Sequence, residues 1–153
     1  MKKIILITML MSAVFAKSDC NRYNWRVYYN SDGKNMSDCY LRGANLRRAN
    51  LTGANLTGAN FTGAILTDAD LRSANLYRAD LTGAILEEAD LTDANLTNAI
   101  LEGANLENAR LEGATLEGAI LEGVRSSHIS GKPASLPKGW SLVYGRLIKK
   151  DGE

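Results

Sequence analysis

One five-residue phrase is repeated seventeen times between residues 39 and 123, without an insertion or a deletion. Its central position is Leu in every copy from Leu41 to Leu121, except at Phe61. Two residues earlier stands Ala, or Cys39 in the first copy. A strict repeat of this kind indicates a solenoid, in which each repeat buries its apolar face against its neighbours. The repeat therefore constrains the fold far more than the function.

The five-residue period excludes an amphipathic helix. At about 100° per residue, a step of five advances a helix by about 140°, so the Leu column would turn through every side. In an extended chain, residues two apart point to the same face, so Ala44 and Leu46 enter a core while Asn45 stays outside. The outer positions are rich in Asn, Asp, Gly and Thr, which are typical of turns. We therefore expect an all-β coil with frequent corners.

Glycine marks a spacing of twenty residues. The last position of the phrase is Gly at Gly43, Gly63, Gly83, Gly103 and Gly123, whereas the three other sets of repeats have Gly there only occasionally. This spacing predicts a square coil of four phrases per turn, with one corner that only Gly fits.

The phrase, as in residues 49–53 (Ala-Asn-Leu-Thr-Gly) and 69–73 (Ala-Asp-Leu-Arg-Ser), closely resembles the pentapeptide-repeat family. The resemblance implies a right-handed quadrilateral β-helix with four repeats per coil and with the Ala-like and Leu-like residues inside. The repeats in residues 39–123 would then make about four coils. At about 4.8 Å per layer, this is a rod of roughly 20 Å, with a cap at each end.

Residues 1–16 have the pattern of a signal peptide. Lys2 and Lys3 precede an apolar run from Ile4 to Ala16, which ends in the small residues that a signal peptidase requires. The run is shorter than the about 20 residues that span a bilayer, so no integral membrane span is expected. We predict cleavage after Ala16 and a periplasmic or secreted protein. Its sixteen remaining basic residues nearly balance its seventeen acidic ones, so we expect no binding of nucleic acid.

Two cysteines remain in the exported chain, and the sequence leaves their state open. A disulfide between Cys20 and Cys39 would tie the N-terminal segment to the first coil, as is common in exported chains. Alternatively, Cys39 acts as a small apolar residue in an inward position of the repeat.

Residues 17–38 are predicted to form an aromatic N-terminal cap. Tyr23, Trp25, Val27 and Tyr29 alternate as on one face of a strand. Such a cap would cover the apolar interior and the strand edges at the open end of the coil. The alternative is a ligand platform that includes Tyr23, Trp25 and Tyr29, because exposed aromatic residues also mark binding surfaces.

Residues 124–153 follow the last repeat and contain both prolines of the chain. The segment resembles one found beside pentapeptide repeats in some large bacterial proteins, and a small hairpin is expected around Gly145. We predict a C-terminal cap in which Trp140, Leu142 and Leu147 cover the last Leu layer.

Two isoleucine pairs are candidates for an interaction surface. Ile65 and Ile85 are twenty residues apart, as are Ile100 and Ile120, at a position where most other copies have Asn or Asp. The pairs lie on neighbouring faces and form either one apolar strip or two. They suggest a contact for a partner or for a second copy of the chain, or only residues of high β propensity.

A ring of glutamates is expected near the C-terminal end of the coil. Glu follows the central Leu in five successive repeats: Glu102, Glu107, Glu112, Glu117 and Glu122. Carboxylates dispersed around the coil favour a solvated rim over a catalytic or cation site. The arginines of the first repeats suggest, as an alternative, that rods associate end to end.

The sequence predicts no enzyme and no catalytic, metal or cofactor site. His128 is the only histidine, and its neighbours Ser126 and Ser127 have no evident orienting carboxylate. We expect an exported scaffold that binds a protein or a cell-envelope component.

Two other functions are weighed beside the scaffold. The resemblance implies one of them, since some pentapeptide-repeat proteins mimic DNA and interact with DNA gyrase, although the acidic residues here gather toward one end. Ice binding by a β-helix is the other, although Thr persists down no column.

Overall fold

The structure is a computed structural model that describes residues 20–30 and 34–150, so the predicted signal peptide (1–16) lies outside the described residues. Its main part is a ladder of parallel bridges that join residues twenty positions apart, from Asn35↔Asn55 to Thr115↔Ser135. Each turn of the coil therefore contains four repeats, as the glycine spacing predicts. Among the described residues, no helix is long and apolar enough to cross a membrane.

Leu and Ala side chains fill the inside of the coil. The central residue of every repeat from Leu41 to Leu121 is at most 1% exposed, including Phe61. The Ala position is also buried from Ala54 to Ala119. Replacing one such Leu by Ala would cost about 2–5 kcal/mol, because the surrounding layers cannot close the cavity fully.

Asn and Asp predominate before the central Leu because their side chains close the following corner. The Asn50 Oδ1 atom accepts the Thr52 N–H at 3.1 Å. The Asp90 Oδ1 atom accepts both the Thr92 N–H, at 3.0 Å, and the Thr92 hydroxyl, at 2.5 Å. In this Asx turn each bond contributes about 0.5–1.5 kcal/mol to stability.

Every corner of the coil has its last residue in the left-handed region. All seventeen such residues have φ between 54° and 68°, whether or not they are glycine. One corner contains no glycine at all and is formed by Arg48, Asp68, Glu88 and Asn108. The prediction that one corner admits only Gly is therefore wrong, because all four corners impose the same backbone conformation.

The coil extends beyond the repeats predicted for residues 39–123. Met36 occupies a Leu position, five residues before Leu41 of the first repeat, and is 1% exposed. At the other end Ile129 is buried, and Ser135 still pairs with Thr115. These flanking segments depart from the phrase but place apolar side chains at the interval that the core requires.

The N-terminal segment forms a short helix, α1 (Trp25–Tyr29), where the alternation of aromatic residues predicted a strand. The helix is initiated by the Asn21 carbonyl, which accepts the N–H groups of Asn24 and Trp25 at 3.1 and 3.0 Å. The prediction of a strand is therefore wrong, because local hydrogen bonds satisfy this backbone.

The packing of α1 follows helical spacing. Trp25 is buried, and Tyr28 and Tyr29 pack beside it against the core at the intervals of three and four residues that bring side chains to one helix face. Tyr23 and Val27 are instead 81% and 56% exposed. Both patterns were present in the sequence, and burial of the indole ring favours the helical one.

A disulfide joins Cys20 and Cys39, whose Cα atoms are 4.8 Å apart. Both residues are 1% exposed, so Cys39 also fills the inward position of its repeat. The Tyr40 N–H donates to the Cys20 carbonyl at 2.9 Å beside this link. Cys39 is therefore both a disulfide partner and a small buried residue, so the two interpretations that the sequence left open are compatible.

Strands β1 (Trp140–Val143) and β2 (Arg146–Lys149) form an antiparallel hairpin after the coil. Tyr144 and Gly145 make its two-residue turn with φ of 46° and 73°. Positive φ at both positions is typical of the tight turns that match the twist of a hairpin.

The hairpin packs against the end of the core. Leu147 is buried there, and Trp140 and Leu142 are partly buried against the core cluster. The Ile129 N–H donates to the Gly145 carbonyl at 3.0 Å. These contacts attach the hairpin to the C-terminal end of the coil, near Ile129.

Candidate functional site

One corner of the coil carries no side chains, and we call it the glycine corner. It consists of Gly43, Gly63, Gly83, Gly103 and Gly123. A Cβ atom at Gly63, Gly83 or Gly103 would find nothing within 4 Å. The glycine-free corner described above has the same backbone conformation. Neither the backbone conformation nor the packing within the coil therefore requires glycine at every position of this corner. Glycine commonly occurs where another molecule closely approaches a backbone.

The two isoleucine pairs flank the glycine corner. Ile65 and Ile85 are bridge partners on the face that follows the corner, and Ile100 and Ile120 are bridge partners on the face that precedes it. Three of them are half-buried, and Ile120 is 43% exposed. The pairs thus lie on either side of one corner, nearer its N-terminal and its C-terminal end respectively.

Isoleucine at this position removes the Asx turn. Ile65 has no oxygen to accept the N–H or hydroxyl of Thr67, and the buried Thr67 hydroxyl has no partner among the described residues, although the same holds for the Thr52 hydroxyl that follows Asn50. In a repeat on another face, the carboxylate of Asp90 satisfies both groups of Thr92. Local hydrogen bonding therefore favours Asn or Asp at position 65, and the outward apolar side chain needs another explanation.

A basic and aromatic cleft opens at the N-terminal end of the glycine corner, and we call it the N-terminal cleft. Its volume is about 540 Å³, and its lining includes Arg22, Tyr23, Tyr40, Arg42, Gly43 and Gly63. The Arg22 guanidinium lies 4.8 Å from the centre of the Tyr23 ring and donates to the Tyr23 hydroxyl at 2.5 Å. Within the described ranges, no acidic residue lines this cleft, and Arg22 and Arg42 have no ion pair.

The predicted aromatic platform is only partly present. Tyr23 is exposed and lines the cleft. Trp25 is 6% exposed and packs edge-on against Tyr29, so its inclusion in an exposed platform is wrong. Tyr29 is half-buried, with the Lys34 ammonium 5.1 Å from its ring centre. Sequence reasoning missed Tyr40, although a Tyr at the Asn position of the first repeat is a signal.

The glutamate ring contacts the C-terminal segment. Ion pairs join Glu107 to Arg125 at 3.0 Å and Glu122 to Lys149 at 2.8 Å, and Glu112 accepts the Lys132 N–H at 2.8 Å. The hydrogen bond from Lys149 holds the pKa of Glu122 below its usual value. Residues 124–150 contain six basic residues and no acidic one. Glu112 and Glu122 are exposed, as the predicted solvated rim requires, and these three glutamates also hold the basic segment that follows the repeats.

The residues next to His128 have structural contacts. The Ser126 hydroxyl accepts the Leu147 N–H at 3.0 Å, and the Ser127 hydroxyl lies 3.4 Å from a Glu107 oxygen. The backbone of His128 occupies a corner, with φ of 54°. These contacts join the hairpin to the coil. Across residues 20–30 and 34–150, no group of His, Cys, Asp and Glu is arranged to hold a metal ion.

Comparison with protein families gives one match, to the model described as pentapeptide repeats, with eight copies. The matched segments are residues 35–72, 49–87, 74–113 and 89–125. They begin before the first repeat recognised in the sequence, in agreement with the position of Met36. A comparison with curated protein sequences gave no match.

Three solved structures illustrate the similarity. A pentapeptide repeat protein (Rfr23) from the cyanobacterium Cyanothece 51142 is 42% identical over 67% of this chain and 69% of that chain, with a TM-score of 0.60. One from the thylakoid lumen of Arabidopsis thaliana is 34% identical over 65% and 66%, with a TM-score of 0.57. HetL, a pentapeptide repeat protein involved in the regulation of heterocyst differentiation in Nostoc sp. strain PCC 7120, is 32% identical over 62% of this chain and 50% of that chain, with a TM-score of 0.50.

Proposed function

The chain belongs to the pentapeptide-repeat family, whose members form right-handed quadrilateral β-helices, and from this premise we propose that it is an exported, non-catalytic scaffold that binds a protein or a cell-envelope component. The family is generally non-catalytic. The proposed binding surface consists of the two isoleucine pairs that flank the glycine corner.

The observation that carries this proposal is the placement of the four isoleucines. They stand where Asn or Asp closes the corner in most other repeats. Each isoleucine forgoes a hydrogen bond of about 0.5–1.5 kcal/mol. All four lie beside one corner, and apolar side chains gathered on an outer surface are typical of a contact region.

The binding surface is tested by replacing Ile65 and Ile85 with Asn and crosslinking the protein in intact cells. We expect wild type to form an adduct with a partner and the double variant to lose it. The unfolding temperature should stay the same or rise, because Asn restores the Asx turn. Arg110→Asn, which introduces the same residue at the same phrase position on another face, should keep the adduct. A double variant that retains the adduct would refute this surface.

Export is supported by two features of the chain. Residues 1–16 have the pattern of a signal peptide, and the Cys20–Cys39 disulfide is typical of an oxidising compartment. The test is the intact mass of the native protein from envelope, medium and cytoplasmic fractions. We expect the mass of residues 17–153 less two hydrogens, in the envelope or the medium. A full-length, reduced protein in the cytoplasm would contradict export.

The gyrase-interacting alternative is less compatible with the charge distribution. Arg72 and Arg110 lie among the acidic residues and form ion pairs with Asp70 and Asp90 at 2.6 and 3.8 Å. A mimic of DNA requires a more continuous negative surface. We expect no effect of the purified protein on supercoiling by DNA gyrase.

Ice binding is likewise not favoured by the threonines. The hydroxyls of Thr62, Thr82 and Thr92 donate to Asn or Asp side chains of their own repeats. They close corners and do not form a persistent flat column. We expect no thermal hysteresis in solutions of the protein.

A further inference from the structure

The glycine corner and the N-terminal cleft form one continuous surface. Gly43 and Gly63 belong to both. A smaller cleft of about 340 Å³ shares Arg22, Tyr23 and Gly43 and adds Arg26. The Arg22 Nη1 atom is 3.8 Å from where a Gly43 Cβ would lie, so Arg22 extends over the first residue of the corner. The bare corner therefore begins beneath a cluster of arginines.

We propose that this continuous surface binds an extended segment of a partner protein that is acidic at one end and apolar along the rest. The inference rests on the proposed function and specifies the partner. Arg22, Arg26 and Arg42 contact the acidic side chains, and the isoleucines on either side of the corner contact the apolar ones. The glycines leave room for the backbone of the segment.

Charge complementarity identifies the acidic end. Arg22 and Arg42 have no ion-pair partner within residues 20–30 and 34–150, and the acidic residues of the repeats lie farther along the rod. Guanidinium groups bind carboxylates through two parallel hydrogen bonds. Arginine and tyrosine are also the residue types that most often dominate the energy of protein interfaces. Tyr23 is 81% and Tyr40 54% exposed beside these arginines.

The dimensions and the apolar lining favour a protein segment over an acidic polysaccharide. From Gly43 to Gly123 the corner crosses four layers, or about 19 Å, which about six extended residues span at about 3.3 Å each. A uronic-acid polymer has carboxylates for the arginines but no apolar side chains for Ile65, Ile85 and Ile100. Of these two, only a protein segment supplies both kinds of contact.

The test is a selection of random heptapeptides, displayed on phage, against the full chain in its oxidised form. We expect the selected peptides to share acidic residues at one end and apolar residues in the remainder. Binding of a selected peptide is then measured by fluorescence anisotropy. Arg42→Gln should weaken it about fivefold or more, because one guanidinium contact is lost. Selected peptides without acidic enrichment would overturn the proposal.

A matched pair of glycine variants tests the use of the bare corner. Gly63 and Gly53 have φ of 63° and 65°, and a Cβ at either position would touch nothing within 4 Å, but only Gly63 belongs to the glycine corner. Gly63→Asn should weaken peptide binding about tenfold or more, whereas Gly53→Asn should change it by about twofold or less. Equal effects of the two variants would overturn the proposal. So would tighter binding of octagalacturonate than of any selected peptide.

Failure of this inference is distinguishable from failure of the proposed function. If the crosslinked adduct depends on Ile65 and Ile85 but no acidic peptide is selected, the scaffold function stands and the acidic segment is refuted. If peptides are selected but the adduct persists in the double variant, the isoleucine surface fails as the site of the cellular partner.

Discussion

At the scale of single residues, the structure separates glycines that the fold requires from glycines that it only permits. Gly131 and Gly139 have nearly the same φ, 80° and 82°. A Cβ at Gly131 would lie 2.6 Å from the backbone nitrogen of Glu112, whereas a Cβ at Gly139 would touch nothing within 4 Å. Of these two glycines, therefore, only Gly131 combines a left-handed conformation with a backbone contact that a side chain would disrupt.

This difference predicts the stability of two alanine variants. Gly139→Ala should lower the free energy of unfolding by about 1 kcal/mol, from backbone strain alone. Gly131→Ala should lower it by about 3 kcal/mol or more, because the coil must also shift at Glu112. Urea denaturation of both variants measures the difference. Equal losses would show that the contact with Glu112 is not limiting.

The pair of Asp70 and Arg72 predicts how stability depends on pH. The hydrogen bond from Arg72 holds the pKa of Asp70 at about 2, below its ordinary value of 3.8. A carboxylate whose pKa is lower in the folded than in the unfolded state stabilises the fold at pH values above its pKa in the unfolded state. This contribution is lost as the pH falls from about 4 to about 2. The urea midpoint should fall across this window, and Asp70→Asn should reduce the fall. Asp93→Asn, at a carboxylate for which the described residues show no ion pair, is the control.

Asp80 should contribute in the same direction. Burial raises the pKa of Asp80. Hydrogen bonds from the Thr82 hydroxyl, the Thr82 N–H and the Thr62 hydroxyl lower it by more, so the net change in pKa is downward. Its ionised form therefore also stabilises the fold at neutral pH. These two carboxylates show that the Asx position stabilises corners through charge as well as through hydrogen bonds.

At the scale of elements, the ring of glutamates and the basic C-terminal segment act together. Glu122 pairs with Lys149 of β2, and Glu107 pairs with Arg125 in the segment that leads from the last repeat to the hairpin. Ion pairs at an exposed junction contribute about 0–1 kcal/mol each. Their removal should therefore loosen the hairpin without unfolding the coil.

A double variant tests this junction. In Glu107→Gln with Glu122→Gln, amide hydrogen exchange in β1 and β2 should be accelerated about threefold to tenfold, and exchange in the coil should not change. Glu117→Gln, at a glutamate for which the described residues show no ion pair, serves as the control. Unchanged exchange in the hairpin would indicate that packing of Leu147 alone holds it.

The elements also mark the limit of prediction from sequence. The repeats were predictable because Leu and Ala recur at a fixed interval, and every layer repeats the same packing problem. Helix α1 was not, because alternation and helical spacing coexist in five residues and only contact with the core decides between them. The outer ends of the coil were missed since Met36 and Ile129 supply the required volume without matching the phrase.

At the scale of the whole molecule, the coil converts sequence spacing into adjacent surfaces. The sequence placed Ile65 and Ile100 in different columns, and the ladder shows that the glycine corner lies between those columns. The N-terminal cleft was less predictable, because it forms only when the disulfide and α1 bring Arg22 and Tyr23 beside Tyr40. Charge follows the same axis, with arginines at the N-terminal end, carboxylates along the middle and a basic segment after them.

The central claim is that one corner of this rod carries its interactions. Thr82 stands beside the glycine corner and Thr92 beside another corner, and each donates its hydroxyl to the Asp two residues earlier. A photoreactive benzoylphenylalanine can therefore be placed at position 82 or at position 92 in living cells to compare the two corners. Either replacement removes the same kind of hydrogen bond. We predict a crosslinked protein adduct from position 82 and none from position 92. Adducts of equal yield from both positions, or from position 92 alone, would contradict the claim.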